Sequence, residues 1–171
     1  KRSAAPGYFQ SPVWDLETGY LRLNHLKPDA GVYFERFLRN FKGRFYVKDA
    51  LQKLSWHYYL QNDQAKAEQY RKLIPTRGSL NTEADKQAHK EASSGKWPNK
   101  LLLKVRLLND GGYFREALRL LHGKSVNDFS TPEEKLEFSY RVGRLYDDVG
   151  NDEESIAYYK QAILLAERRK E

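Results

Sequence analysis

The sequence contains no cysteine and no methionine. Without cysteine there are no disulfides, no thiol nucleophile and no cysteine-ligated zinc, while the compartment stays open. A chain of 171 residues that neither begins with methionine nor contains one is expected to be a piece of a longer protein. Long apolar runs are missing too. None approaches the roughly 18 residues that suggest a membrane-spanning helix. The opening Lys1-Arg2-Ser3-Ala4-Ala5-Pro6-Gly7 lacks the apolar centre of a signal peptide. No membrane insertion is expected of this segment, and no localisation is indicated. Strand signals are nearly absent: β-branched and polar residues never alternate for long, and no Asn-Gly separates two such runs.

Catalytic and metal motifs are scarce as well. His25, His57, His89 and His122 lie far apart, and none belongs to a His-Glu-x-x-His pair. Gly123-Lys124-Ser125 ends like a phosphate-binding loop, but Leu118 stands where its first glycine should be, and the preceding run is helical. Asp147-Asp148 and Glu153-Glu154 fit a helix end and a helix start, where the dipole favours the second pair. We therefore expect no enzyme, no catalytic residue, no cofactor and no metal.

What is present is helical periodicity. Ala30, Phe34, Phe37, Leu38 and Phe41 mark one apolar helix face. Thr131-Pro132-Glu133-Glu134 reads as a capping box with proline at the first helical position; Thr82 and Ser11 read as further starts. The pattern predicts nine helices, near 13–26, 29–42, 45–61, 64–73, 82–93, 98–109, 113–122, 132–149 and 152–169. Residues 75–97 are polar and rich in Gly and Ser, with one short helix whose apolar stripe is Ala84, Ala88 and Ala92. They are expected to be an insertion, anchored at its end by Trp97.

The stretch "LLNDGGYFREALRLL", residues 107–121, joins two helical runs through two glycines. Its pattern returns 38 residues later: Gly112 falls on Gly150, Ala117 on Ser155, Leu108 on Tyr146 and Val105 on Gly143. Fifty residues earlier, Asn62, Ala67, Tyr58 and Ser55 occupy the same positions. Asparagine suits the substitution because it tolerates a left-handed backbone. Each unit is thus a helix, a turn needing Gly or Asn, and a second helix with a small residue five positions on. One such pair cannot bury both of its faces, so pairs are expected to stack.

Gly143-x-x-Tyr146-x-x-x-Gly150-x-x-x-x-Ser155-x-x-x-Tyr159-x-x-Ala162-Ile163 resembles a tetratricopeptide repeat, lacking only the tryptophan near its start and the proline at its end. Residues 99–124 resemble a second copy, 48–71 a degenerate third, and 13–42 a fourth on the strength of Gly19 and Ala30. "YFERFLRNFKGR" (33–44), Asp85-Lys86-Gln87-Ala88 and "RLLNDGG" (106–112) are similar to the inclusion-body-clearance family of tetratricopeptide proteins. The resemblance implies an all-α, right-handed solenoid of about four stacked helix pairs (about 13–42, 45–73, 98–123 and 132–169) forming a single domain with the insertion at 75–97.

That fold implies a protein-interaction scaffold or adaptor. The residue after the small one on each first helix would face the concave groove: Trp56, Arg106 and Arg144. Gln52 and Tyr59, Leu102 and Asn109, and Tyr140 would be their neighbours. Two arginines could fork onto the carboxylate of an acidic or C-terminal peptide; equally, each could pair with its local acid, Asp110 or Asp148. Chaperone-binding tetratricopeptide domains use an ordered set of lysines and asparagines; this sequence keeps Asn99 and Arg106 nearby but lacks that set, so no chaperone partner is expected. Tyr58 and Tyr159 are expected in the core. The last helix keeps an apolar stripe (Ile156, Tyr159, Ile163, Ala166) for further repeats or a homodimer contact. The net charge of +7, from 30 basic and 23 acidic residues, supports a lesser alternative, a binder of an anionic polymer such as nucleic acid.

Overall fold

The computed structural model describes residues 11–170; the Lys1–Gly7 stretch read above for a targeting signal lies outside them. Among the described residues the chain is all-α, with nine α-helices and no strand. They are α1 (Pro12–Asn24), α2 (Ala30–Asn40), α3 (Val47–Leu60), α4 (Gln64–Arg71), α5 (Glu83–Ser93), α6 (Lys100–Asp110), α7 (Phe114–Leu120), α8 (Pro132–Asp148) and α9 (Asp152–Lys170). Every boundary falls within two residues of the sequence expectation. The chain divides between Trp97 and Pro98 into two compact units, α1–α5 and α6–α9.

The caps show where local chemistry acted. Thr131 Oγ1 accepts from Glu134 N–H at 3.1 Å, but the Glu134 carboxylate reaches back to Ser130 N–H, one residue earlier than a capping box requires. Thr82 caps α5 through Asp85 N–H, whereas Ser11 makes no side-chain cap. The full capping box belongs to Ser125 and Asp128, on a 3-10 turn at Val126–Asp128.

Four helical hairpins close in the same way. Asn62, Gly112 and Gly150 have φ of 62°, 84° and 82°, the left-handed conformation the repeat requires. The residue after each donates back to Tyr58, Leu108 and Tyr146 carbonyls at 2.9, 2.8 and 2.8 Å, the longer of the two bonds of a Schellman motif. The first hairpin turns at Leu26 (φ 56°), with Lys27 N–H donating to Arg22 C=O at 2.9 Å. That sets its register: Gly19 stands seven residues before the turn, but the small residue five after it is Gly31, not Ala30. The equivalent side chains Ala67, Ala117 and Ser155 are all buried.

In the first unit α1 packs on α2, α2 on α3, and α3 on both α4 and α5. Its core includes Leu23, Phe34, Phe37, Leu51 and Leu54. A Cβ on Gly31 would come within 2.7 Å of the His57 ring, so glycine lets α2 approach α3 there. His57 is buried, and burial lowers its imidazole below the ordinary histidine range, with Glu35 and Asp29 opposing. Because the folded value lies below the unfolded one, the neutral ring contributes stability above about pH 6.5, and that contribution is lost as pH falls through the lowered value. The melting temperature is accordingly expected to drop between pH 7.5 and 5.5, and the drop to shrink in His57→Gln; an unchanged slope in thermal melts would remove His57 as its cause.

The segment 75–97 is a working part of this unit. The α3 N-terminus begins at Tyr46 (φ 63°) with no local side-chain cap. Asp85 of α5, fully buried, supplies one: Oδ2 accepts from Tyr46 N–H at 2.8 Å and Oδ1 from Asp49 N–H at 3.0 Å. Two otherwise orphan donors and the positive helix end thus meet a carboxylate from 36 residues away. Trp97 closes the segment as expected: its ring stacks on Tyr59 at 4.8 Å, its Nε1 donates to Glu68 at 2.8 Å, and the Arg71 guanidinium lies 4.1 Å over it.

In the second unit α6 packs on α7 and α8, α7 on α8, and α8 on α9. The core includes Leu103, Leu107, Leu108, Phe138 and Leu145. Close approach of α8 and α9 depends on Gly143, where a Cβ would lie 2.9 Å from the Tyr159 ring.

Candidate functional site

The eight groove residues expected from the sequence fall into two groups. Gln52, Trp56, Leu102 and Asn109 are buried, none more than 7% exposed. Packed side chains of this kind hold helices together and leave little area for a partner. Gln52 Nε2 donates to Glu91 at 2.9 Å, and the Lys53 ammonium sits 4.5 Å from the Trp56 ring centre. Tyr59, half-buried, is engaged by Trp97. These belong to the first unit, apart from Leu102 and Asn109 on α6.

The remaining three, Arg106, Tyr140 and Arg144, lie in the second unit. Arg106 is half-buried; Tyr140 and Arg144 are exposed. Arg144 Nη1 donates to the Tyr140 hydroxyl at 3.3 Å. That bond and the charge of Asp148 raise the guanidinium further above its ordinary range, yet no carboxylate lies within 4 Å of Arg144 among the described residues.

Arg106 and Tyr140 share an open groove of about 670 Å³ with Leu136 of α8 and with Tyr159, Ala162, Ile163 and Ala166 of α9. Glu133, Glu137 and Arg141 complete it. Both acids are already engaged: Arg169 reaches Glu133 at 3.2 Å, and Arg141 stands 3.9 Å from Glu137. The floor is apolar, and Ile163 is 58% exposed. The apolar stripe of the last helix carried the signal for this surface, since Tyr159, Ile163 and Ala166 recur at helical spacing. Tyr159 is half-buried against Gly143, and Tyr58 is also half-buried, its hydroxyl donating to Glu35; neither is fully in the core. Ile156, 53% exposed, is not among the groove residues.

Chemically, the groove offers an apolar trough edged by the guanidinium groups of Arg106 and Arg141 and by the carboxylates of Glu133 and Glu137. Among the described residues no three acidic or histidine side chains are grouped to hold a metal ion, and no helix is long and apolar enough to cross a membrane. Comparison with family models, curated proteins and solved structures gave no match. The class is therefore defined by geometry alone: an all-α chain of helical hairpins joined by recurring left-handed turns.

Proposed function

We propose that this chain is a non-catalytic protein-interaction module of the tetratricopeptide type, a right-handed stack of about four helix pairs acting as a scaffold or adaptor. The observation that carries the reading is the α8–α9 groove, with exposed apolar side chains on its floor and Arg106 at its edge. Recurrence of one Schellman turn in four hairpins supports the repeat assignment. The partner is a peptide segment with an apolar anchor for the Tyr140–Ile163 trough and a carboxylate for the guanidinium edge.

Selection from a random peptide display library tests this. Enriched peptides are expected to pair an aromatic or aliphatic anchor with a nearby acid. Ile163→Asp and Arg106→Glu/Arg144→Glu should each weaken binding about tenfold, near 1.4 kcal/mol, with melting temperatures little changed. Binding indifferent to both variants would reject the groove. A concentration-dependent dimer abolished by Ile163→Asp would make a second copy the occupant.

A further inference from the structure

We infer that the second unit carries, apart from that groove, a pocket for a compact polyphosphorylated small molecule, formed by Arg115, Arg119, His122 and Lys124 over the rings of Tyr146 and Tyr158. The cavity is about 560 Å³, within the range of small-ligand sites, and none of its lining residues is acidic. Phe138 and Val142 lie at its apolar side. All four basic side chains are exposed, and among the described residues no carboxylate pairs with any of them.

Helix electrostatics do not account for the arrangement. Cations near the end of α7 complement the dipole, which would explain Arg119 and Lys124. Arg115, however, is the second residue of the seven-residue α7, where a cation opposes the dipole. It also stands four residues from Arg119, a like-charge spacing that destabilises a helix. Both penalties are relieved by an anion between the two guanidinium groups. The same two arginines also border a neighbouring depression, where Glu116 and Asp148 disfavour an anion.

The rings of Tyr146 and Tyr158 stack at 5.9 Å. Burial raises the Tyr158 phenol above its ordinary range, with Tyr146 and the nearby charge of Glu154 adding to it, so it stays protonated near neutrality and able to donate to a phosphoryl oxygen. Three cations and a histidine around one concavity suit a ligand with more than one phosphoryl group. A polymer would call for basic groups spread along a track.

Titration calorimetry of the whole chain with inorganic tripolyphosphate, near 0.15 M salt, tests the inference. Saturable one-to-one binding is expected, at least tenfold tighter than orthophosphate. Arg115→Gln/Arg119→Gln should weaken it tenfold or more, while its ligand-free melting temperature should not fall, because a like-charge pair has been removed. Arg168→Gln/Lys170→Gln, the same charge change at a remote site, should bind as the parent does. Equal losses in both variants would reduce the effect to diffuse charge and overturn the pocket, as would no saturable binding. Tighter binding of a single-stranded oligonucleotide would overturn it in favour of a polymer. Capture by phosphoinositide vesicles without affinity for tripolyphosphate would overturn it in favour of a membrane surface.

Discussion

Replacing Asp85 with alanine is expected to lower the melting temperature of the first unit by about 15 °C. The carboxylate is fully buried and accepts main-chain hydrogen bonds from Tyr46 and Asp49, with a third from Thr82 Oγ1 at 2.7 Å. Alanine leaves the two N–H donors at the start of α3 desolvated and without an acceptor. Hydrogen bonds to a charged group contribute roughly 1.5–3 kcal/mol each, so loss of the two main-chain bonds costs about 3–6 kcal/mol. Asp85→Asn keeps one acceptor oxygen and turns an amide N–H toward the other donor, so it should lose about half as much. Thr82→Ala removes the α5 cap and the hydroxyl's bond to Asp85 but leaves both main-chain bonds to the carboxylate in place, so it should cost less than Asp85→Ala, about 1–2 kcal/mol. Chemical denaturation of the three variants measures the series. Equal, small losses would mean that α3 holds its first turn without help from α5.

Gly143→Leu carries the second large effect, and it joins stability to function. Gly143 sits on α8 where a Cβ would already be 2.9 Å from Tyr159 Cδ1 and 3.1 Å from Cε1. A leucine forces that ring, which also borders the α8–α9 groove, out of its place. Overpacking of this kind costs about 3 kcal/mol, against which the better helix propensity of leucine returns about 1. Under the groove reading, peptide affinity falls with it. Adding Tyr159→Ala should recover much of the stability, because it removes the clashing ring, but not the affinity. Such coupling marks two residues in contact. If the double variant is no more stable than Gly143→Leu alone, the tyrosine is not what the leucine strikes.

How far the sequence reaches is clearest in particular elements. The α6–α7 turn was legible because Gly112 is the residue a left-handed turn demands, and Asn62 and Gly150 repeat the signal. The α1–α2 turn was not, since leucine at φ 56° is a conformation that costs an L-residue about 1 kcal/mol and advertises nothing. Without that anchor the small residue was placed at Ala30 instead of Gly31. For the groove, the periodic stripe Tyr159, Ile163 and Ala166 was readable as unpartnered apolar surface, and Arg106, Tyr140 and Arg144 fell in the same unit with it. Gln52, Trp56, Leu102 and Asn109 were expected to face a partner because spacing gives a direction on a helix but not what covers it.

By itself, then, the sequence determined the nine helices, their hairpin turns and the small residues between them, all set by contacts within a few residues along the chain. Only the tertiary structure decided that Asp85 caps a helix 36 residues away, that Tyr159 lies against Gly143, and that Arg115 and Lys124 share one cavity with two tyrosines. Those pairings depend on helix-to-helix packing. Periodicity along one helix leaves such packing undetermined, because many partner faces satisfy the same apolar stripe.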